Sequence, residues 1–239
     1  MRIRILTTLP EMFPAVLEAG VLGRAARDGL LDIEMINLRE YTDDRHRSTD
    51  DYPFGGGAGM VMLPEPIGRA IDAIREADPL VHTVLTTPRG KTFDQSAAQS
   101  LSARESVAIL CGRYEGVDER VCDLFDEELS LGDFVMSGGE IAAMAMIDTM
   151  ARLLPGALGN EDSIVEESFA GALLEYPQYT RPRDFRGRCV PEVLTSGDHA
   201  AIAAFRRRES LRRTRERRPD LFASVALTVE EAEELHGEE

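Results

Sequence analysis

Short glycine-rich stretches contain most of the residues that could bind a ligand. Three of them, residues 86–90, 111–116 and 131–140, are predicted to follow successive strands of a parallel sheet. Open α/β sheets bind ligands in the loops at the carboxyl ends of their strands, and glycine lets backbone N–H and C=O groups approach a ligand closely. We therefore expect one shared pocket, although each stretch alone is more simply explained as an ordinary tight turn. A fourth stretch, 50–60, combines four glycines with two acidic residues.

The chemistry of this pocket is limited by the motifs that the sequence lacks. There is no phosphate-binding GxxxxGK[ST] loop, and the single lysine, Lys91, lies outside any such context. No GxGxxG joins a strand to a helix, which argues against a dinucleotide site. Ser137 lacks the GxSxG pattern of a nucleophile elbow. Backbone amides and apolar side chains remain, and they suit a small, largely uncharged group such as adenosine.

Alternating strand and helix patterns must position these loops. Strands are predicted at 3–7, 31–38, 83–86, 107–111 and 127–130. One helix is predicted from an apolar face at i, i+3, i+4 and i+7, formed by Ile67, Ala70, Ile71 and Ile74. Further helices are predicted at 117–125 and at 139–154, where Pro155-Gly156 ends the second. This alternation indicates an α/β domain with a mainly parallel sheet.

Composition places the chain among globular proteins. Hydrophobic residues make up 43% and charged residues 29%, which excludes disordered and fibrous classes. No run of about 18 apolar residues predicts a membrane span, and the first residues lack the sections of a signal peptide. Three cysteines without a CxxC pair predict neither a disulfide framework nor a structural zinc site. We expect a cytoplasmic protein.

Charge is distributed unevenly along the chain. The 27 basic and 43 acidic residues give a net charge of −16, yet residues 176–218 hold twelve arginines against five acids. Residues 219–239 hold seven acids and no basic residue. A basic segment on an acidic protein can still bind phosphates locally, although a solvated charged helix is an equally simple explanation.

The second half of the sequence indicates a hinge followed by a small helical unit. Residues 159–167 are polar and acidic, with no apolar period. Asp198 is predicted to cap a helix over 199–217, and Thr228 with Glu231 has the spacing of a capping box for the last helix. We expect an α/β domain at 1–158, a flexible linker at 159–175 and a basic helical domain at 176–239.

Six segments together resemble a known enzyme family. They read DDYPFGGGAGM (50–60), TTPRGKTF (86–93), CGRYEGVDERV (111–121), LGDFVMSGGE (131–140), EESF (166–169) and YPQYTRP (176–182). In this order, over almost the whole chain, they resemble the bacterial tRNA (guanine-N1)-methyltransferases of the SPOUT class, which modify the guanine at tRNA position 37. The resemblance implies an α/β domain with a C-terminal trefoil knot and a small helical tRNA-binding domain after it. It also implies an obligate homodimer, S-adenosyl-L-methionine as the methyl donor and a magnesium ion.

The resemblance implies site residues by matching position. The catalytic pair is Glu167 and Arg152, where Glu167 stands in a Glu-Ser-Phe triplet instead of the family's Asp-Ser-Phe, one methylene longer. Cofactor binding is implied for three loops, comprising Leu85, Thr86, Thr87, Pro88, Gly90, Gly112, Tyr114, Glu115, Gly116, Leu131, Gly132, Asp133, Phe134, Val135, Met136, Ser137, Gly138 and Gly139. His46 and Asp50 match positions near the target guanine. Charge clustering adds five candidate phosphate contacts to tRNA: Arg206, Arg207, Arg208, Arg212 and Arg213.

The implied reaction needs a base and a cation. Guanine N1 is a poor nucleophile until its proton leaves, and a carboxylate within hydrogen-bond reach can accept that proton. Negative charge then develops on guanine O6, where a guanidinium stabilises the transition state. Glu167 and Arg152 fit these roles, although by composition Glu167 lies in an acidic loop and Arg152 follows Asp148 at the spacing of a surface pair. The alternatives are a non-catalytic RNA-binding module with a regulatory nucleoside pocket and a SPOUT ribose methyltransferase.

Overall fold

A computed structural model describes residues 1–159, 167–169 and 173–237. The chain divides into two compact units, Met1–Gly159 and Asn160–Glu239. Most of the linker predicted at 159–175 lies outside the described residues, so the division into 1–158, 159–175 and 176–239 stays a prediction. Among the described residues, no helix is both long and apolar enough to cross a membrane.

The first unit is built on a five-stranded parallel sheet in the order β2-β1-β6-β5-β7. Its strands are β1 (Arg2–Thr7), β2 (Asp32–Asn37), β5 (His82–Thr92), β6 (Ser106–Cys111) and β7 (Glu127–Ser130). Every predicted strand is therefore confirmed, with ends that shift by one or two residues except in β5. The predicted α/β class with a parallel sheet is confirmed as well.

The central strands explain why the prediction succeeded. All six residues of β6 are buried, and so are the last five of β1, because helices cover both faces of the sheet. Such strands appear in a sequence as continuous apolar runs. The exception is Arg4, a buried arginine in β1 whose guanidinium donates to Asp78 over 2.9 Å and to Glu34 over 3.1 Å.

Helices pack on both faces of this sheet. They are α1 (Pro14–Leu17), α2 (Gly20–Arg27), α3 (Pro64–Ala77), α4 (Gln95–Ser102) and α5 (Glu140–Arg152). One core joins α2, α4 and α5 to one face, and a second core joins α3 to the other. The predicted apolar face of α3 is confirmed, since Ile67, Ala70, Ile71 and Ile74 are all buried. The helix predicted at 117–125 is instead a 3-10 turn over Glu119–Leu124.

β5 departs from the prediction of a strand that ends at Thr86. It continues to Thr92, but Thr86 and Lys91 both pair with Leu129, so the residues between them bulge out of the ladder. Gly90 permits the bulge, because a Cβ at this position would overlap the backbone of Glu128 and Leu129 in β7. The first glycine-rich stretch is thus a bulge within a strand and not a loop after it.

A short hairpin is the first pair of strands in the described part of the second unit. Strands β8 (Asp184–Phe185) and β9 (Arg188–Cys189) are antiparallel, and a 3-10 turn follows at Glu192–Thr195. The helices are α6 (His199–Arg217), α7 (Pro219–Phe222) and α8 (Val229–Gly237).

Both predicted caps of the second unit are confirmed. The Asp198 carboxylate accepts from the Ala201 N–H at 3.0 Å, which places the start of α6 at the predicted residue. Thr228 and Glu231 form the reciprocal capping box, with Glu231 N–H donating to Thr228 Oγ1 and Thr228 N–H donating to the Glu231 carboxylate.

Two smaller strands connect the fourth glycine-rich stretch to the sheet loops. β3 (Asp50–Asp51) pairs with β4 (Val61–Met62), and the Met62 N–H donates to the Gly116 carbonyl at 2.9 Å. The Glu115 N–H in turn donates to the Met60 carbonyl at 2.9 Å. The stretch at 50–60 is therefore anchored at its end to the loop that follows β6.

Candidate active site

The three predicted loops surround one cavity of about 360 Å³. It opens beside the bulge of β5 and the carboxyl ends of β6 and β7. The cavity is lined by fifteen of the eighteen residues expected to bind the cofactor: Leu85, Thr86, Thr87, Pro88, Gly112, Tyr114, Glu115, Gly116, Leu131, Gly132, Phe134, Val135, Met136, Gly138 and Gly139. The shared pocket inferred from glycine spacing is thus present in the structure.

Three of the expected residues do not line the cavity. Asp133 and Ser137 are exposed, on the loop between β7 and α5. Gly90 lies against β7, where it serves the close approach of two strands. All three residues belong to the predicted glycine-rich stretches, but they are not among the residues that line the cavity.

Sequence reasoning also missed residues that the cavity uses. The additional lining residues are Arg89, Arg113, Val117, Glu119, Leu129, Ser130 and Ala142. Arg89 and Arg113 lie inside the glycine-rich stretches, and their position there could have predicted that they line the cavity. The others lie at strand ends or on the next helical turn, where only the tertiary arrangement brings them to the cavity.

Close backbone contacts hold the loops around the cavity together. Gly139, just before α5, donates its N–H to the Gly112 carbonyl at 2.7 Å. A Cβ on Gly139 would overlap Thr86 Oγ1, so only glycine permits this approach. Thr86 Oγ1 itself donates to the Leu110 carbonyl and accepts from the Gly112 N–H. The strand β5, the end of β6 and the start of α5 therefore meet at one point.

A buried ion pair fixes the same region. The Glu140 side chain is 1% exposed and accepts from Arg113 Nη1 at 2.8 Å and from Thr7 Oγ1 at 2.9 Å. Because Arg113 lines the cavity and Glu140 opens α5, the pair connects the loop after β6 to the first turn of that helix. An unpaired buried charge is costly, so each partner requires the other.

The neighbouring thiols are poor nucleophiles. Burial, and then the negative charge of Glu140, raise the pKa of the Cys111 thiol well above its ordinary value. Burial also raises the pKa of Cys122, which accepts a hydrogen bond from Arg89 at 3.2 Å. Both cysteines are therefore protonated at neutral pH, and the site offers no thiolate for covalent catalysis.

Charged residues at the rim of the cavity are paired with each other. Arg89 Nη1 donates to Glu119 at 2.6 Å, and its Nη2 lies 3.7 Å from Glu128.

Tyr114, which lines the cavity, adopts a positive φ of 59° and is half exposed. Burial, and then the adjacent carboxylate of Asp50, raise the pKa of the Tyr114 hydroxyl.

Neither of the two residues expected near the target guanine lines the cavity, although one of them interacts with a lining residue. Asp50 lies beside Tyr114, which lines the cavity. His46 is exposed on the loop before β3, where its N–H donates to the Asp44 carboxylate at 2.9 Å. Asp50 is therefore linked to the cavity through Tyr114, whereas His46 lies at the surface.

Comparison with known proteins shows the family of this chain. Residues 1–224 match the sequence model of the family described as tRNA (Guanine-1)-methyltransferase TrmD. The chain belongs to this family. A relative named tRNA (guanine-N(1)-)-methyltransferase from Geotalea uraniireducens (strain Rf4) is 51% identical over 236 residues, which cover 98% of this chain and 96% of that protein. Relatives of the same name from Thermosipho africanus (strain TCF52B) and Clostridium perfringens (strain SM101 / Type A) are also 51% identical, over 93% and 97% of this chain and 90% and 97% of those proteins.

The catalytic pair implied by likeness to the tRNA (guanine-N1)-methyltransferases lies outside the cavity lining. Arg152 is the last residue of α5, whereas Gly139 and Ala142 line the cavity from the other end of that helix. At a rise of 1.5 Å per residue, the Cα atoms of Glu140 and Arg152 are roughly 18 Å apart along the axis. Glu167 is half-buried and belongs to the second unit.

The five arginines expected to contact phosphates differ in their surroundings. Arg207 pairs with Glu231 at 2.8 Å, and Arg212 pairs with both Glu209 and Glu216. The Arg206 guanidinium lies 4.6 Å from the centre of the Tyr176 ring, and that of Arg208 lies 5.9 Å from the Phe205 ring. Arg213 is half-buried. Two of these five arginines are therefore seen paired with acids of the same unit.

No described residues are assigned to the magnesium ion that the resemblance implies. Within residues 1–159, 167–169 and 173–237, no group of three or more histidine, cysteine, aspartate or glutamate side chains is placed to hold a metal ion.

Proposed function

We propose that this protein transfers a methyl group from S-adenosyl-L-methionine to N1 of the guanine at position 37 of tRNA. The observation that carries the proposal is the single cavity formed by three loops, in a chain that belongs to the tRNA (guanine-1)-methyltransferase family. Relatives that are 51% identical over nearly the whole chain are named tRNA (guanine-N(1)-)-methyltransferase, which supports the proposal. A cytoplasmic location is part of the proposal.

The cavity fits a nucleoside cofactor. Its volume of about 360 Å³ falls within the range of ligand pockets. Backbone groups of the three loops would hold the adenine and ribose, while Leu85, Leu129 and Ala142 supply apolar wall. Glu115 adds a carboxylate to the lining, and we assign it to the positively charged methionine end. When bound, S-adenosyl-L-methionine supplies the electrophilic methyl group.

The protein's own residues would activate the guanine. We assign Glu167 to accept the N1 proton, because deprotonation turns N1 into a nucleophile. We assign Arg152 to guanine O6, where negative charge develops as the proton leaves. Positioning of the base and the methyl donor would supply much of the remaining acceleration. We assign Asp50, which interacts with Tyr114, to orient the guanine.

We propose that the enzyme acts as a homodimer with its sites at the subunit interface. The position of Arg152 supports this, since it stands at the end of α5 that is remote from the cavity. A side chain cannot bridge roughly 18 Å, so a second copy is needed to bring an Arg152 to each cavity. Exposed apolar side chains beside the cavity, including Val135 at 88% and Ile141 at 54%, would be covered by that copy.

We also propose the trefoil knot and the tRNA-binding role of the second unit that the family implies. The return of the chain supports the knot: after the edge strand β7 it passes back to Gly112, where Gly139 forms its hydrogen bond, and α5 then packs beside β6. The concentration of arginine in residues 176–218 supports the tRNA-binding role.

Product analysis tests the function. The protein would be incubated with unmodified tRNA and a cofactor labelled in the methyl group, and the digested nucleosides would be separated. We expect 1-methylguanosine, and we expect none from the same tRNA with adenine at position 37. A ribose-methylated nucleoside would favour the ribose methyltransferase, and tRNA binding without any product would favour the non-catalytic module.

A further inference from the structure

The hairpin of the second unit has a defined arrangement of arginines around one aromatic ring. Phe185 pairs with Arg188, and the Val190 N–H donates to the Arg183 carbonyl at 2.9 Å, which extends the ladder by one step. Arg186 and Gly187 form the turn, with φ values of 57° and 78°. Positive φ at both central residues suits a two-residue hairpin turn.

Strand alternation separates the two faces of this hairpin. Side chains two residues apart share a face, and so do directly paired residues. Arg183, Phe185 and Arg188 therefore share one face, while Asp184 and Cys189 share the other. The Asp184 carboxylate accepts from the Gly187 N–H at 3.0 Å and from the Cys189 thiol at 3.3 Å, so it stabilises the turn on the face opposite the arginines.

The charges on this hairpin are open to solvent. Residues 181–189 are all exposed, and Phe185 itself is 60% exposed. Among the described residues, no carboxylate forms an ion pair with Arg183, Arg186 or Arg188. This differs from α6, where Arg207 and Arg212 are paired with glutamates.

The aromatic ring already accommodates a guanidinium. The Arg186 guanidinium lies 5.2 Å from the centre of the Phe185 ring, within the range of a cation–π contact. An apolar protein surface is a poor partner for this ring, because the three neighbouring guanidinium groups would lose their contact with water there. It matches a polyanion with flat bases, because bases stack on aromatic rings while neighbouring arginines contact phosphates.

We propose that this hairpin is a tRNA-binding surface, on which Phe185 stacks with an unpaired base and Arg183, Arg186 and Arg188 contact the adjacent phosphates. Bases that stack on aromatic side chains are those of single-stranded RNA segments, where they can be splayed out, so the partner is a single-stranded loop of the tRNA. The proposal rests on the proposed function for its choice of RNA. It also predicts that the hairpin arginines contribute more to phosphate binding than Arg207 and Arg212 of α6, which are paired with glutamates.

Two triple variants with the same change in net charge test the arginines. One neutralises Arg183, Arg186 and Arg188 to Gln, and the control neutralises the exposed, ion-paired Arg2, Arg69 and Arg120 of the first unit to Gln. For up to three contacts to a single-stranded segment, the slope of log Kd against log salt should decrease by about 2 in the hairpin variant. We expect its tRNA Kd to rise at least tenfold at moderate salt, against less than threefold for the control. Equal effects of the two variants would overturn the assignment.

Phe185 tests the stacking separately from charge. Phe185→Leu keeps an apolar side chain and removes the ring, so we expect the tRNA Kd to rise by roughly tenfold. Phe185→Tyr keeps the ring and should restore binding to within about twofold of the original protein. If leucine and tyrosine bind tRNA equally well, the stacking proposal is wrong.

Two further measurements keep the outcomes distinct. Cofactor Kd and the sedimentation coefficient should be unchanged in every hairpin variant, and a change in the oligomeric state in place of tRNA affinity would show that the surface binds protein. Photo-crosslinking of 4-thiouridine-substituted tRNA to the unaltered protein needs no variant, and absence of hairpin peptides among the crosslinks would overturn the proposal. If the unaltered protein binds tRNA through the hairpin but forms no 1-methylguanosine, the proposed function fails and this surface stands.

Discussion

The two units differ in where their described ion pairs lie, because the first unit buries some of its charged side chains. In Met1–Gly159, two charged side chains are buried: Arg4 is 5% exposed among Asp78, Glu34 and Ser106, and Glu140 is 1% exposed against Arg113 and Thr7. In Asn160–Glu239, the ion pairs of Arg207, Arg212 and Arg218 each include a side chain more than a third exposed. The first unit thus buries two charges that fix internal geometry, in addition to exposed pairs such as Arg2–Asp32, whereas these three arginines of the second unit form their ion pairs at the surface.

Buried and exposed ion pairs differ in the free-energy cost of removing their charges from water. A buried pair pays a large desolvation cost and tolerates only one arrangement, so it specifies the position of the groups that it joins. An exposed pair costs little and can exchange one partner for another. A rigid cavity for a small ligand benefits from the first kind of pair. A surface that must exchange its own acids for the phosphates of a partner benefits from the second.

The largest effect is expected at Glu167, where the second unit would supply chemistry in addition to charge. Glu167→Gln keeps the shape of the side chain but cannot accept the N1 proton, so the single-turnover rate should fall by about 10²–10⁴-fold. Cofactor and tRNA dissociation constants should change by less than about threefold, since the lost interaction belongs to the transition state. Rapid-quench measurement of 1-methylguanosine with enzyme in excess gives the rate.

Glu167→Asp is the matched variant, because it restores the family's Asp-Ser-Phe triplet. If the surroundings have adapted to the longer side chain, the shorter carboxylate will be about 1.5 Å out of place and the rate will drop without loss of binding. Full activity of Glu167→Gln would contradict the assignment and exclude Glu167 as the base.

The next largest effect is expected at the buried pair beside the cavity. Glu140→Ala leaves the Arg113 guanidinium and the Thr7 hydroxyl without their acceptor, and we expect the free energy of unfolding to fall by ~3–5 kcal/mol. The Kd of S-adenosyl-L-methionine should also rise, because Arg113 lines the cavity. Urea unfolding and isothermal titration measure the two quantities.

An exposed pair in the same unit provides the control. Asp32 bonds Arg2 at 2.8 Å, but their side chains are 65% and 52% exposed, so Asp32→Ala should cost less than about 1 kcal/mol. Replacing Arg113 and Glu140 together by methionine should cost less than the sum of the single changes, because no charge is left unpaired. Similar losses at Asp32 and Glu140 would remove the distinction between buried and displayed charge.

A smaller, pH-dependent effect is expected at Asp78. The hydrogen bond from Arg4 holds the pKa of the Asp78 carboxyl below its ordinary value of 3.8. A carboxyl whose folded-state pKa is depressed adds stability above its unfolded pKa, and this stability is lost as the pH falls through the folded-state pKa. We expect Asp78→Asn to cost about 1.5 kcal/mol at pH 7 and the difference from the original protein to shrink below about pH 4. Unfolding curves measured from pH 3 to 7 give this difference, with Asp28→Asn at an exposed position as the control variant.

Much of the fold could be predicted because the local signals agree with the tertiary structure. The continuous apolar runs of β1 and β6 indicate strands that are buried on both faces, and Asp198 and Thr228 cap helices through contacts within three residues. The shared cavity followed from glycine-rich stretches placed after strands. These features depend on neighbours in the sequence, or on the general rule that parallel strands end at one edge of a sheet.

The failures have a common physical cause. The bulge of β5 depends on its pairing with β7, some forty residues later, and no local pattern encodes that register. The burial of Glu140 depends on Arg113 and Thr7, which are distant in the sequence. The β8–β9 hairpin has strands of two residues, too short for an alternating pattern to be visible. The roles of Arg152 and Glu167 came from family resemblance, because their spacing alone indicates only surface residues.

The smallest effect is expected at Arg212, and it tests the second half of the comparison. Its guanidinium bonds Glu209 at 2.7 Å and Glu216 at 2.9 Å, three residues before and four after it on α6, and these bonds, that of Glu209 first, raise the pKa of Arg212. The side chain is 37% exposed, however, and exposed helix pairs contribute only a few tenths of a kcal/mol each. Arg212→Gln should therefore lower the free energy of unfolding by about 0.5–1 kcal/mol in low salt. At 1 M salt the screening length falls to roughly 3 Å, so most of that difference should disappear, whereas the loss in Glu140→Ala should persist because its partners are shielded from solvent. Urea titrations of both variants at the two salt concentrations make the comparison directly. A loss at Arg212 as large and as salt-resistant as that at Glu140 would mean that the second unit also depends on its charges for internal geometry, and that its arginines are not free to exchange glutamates for phosphates.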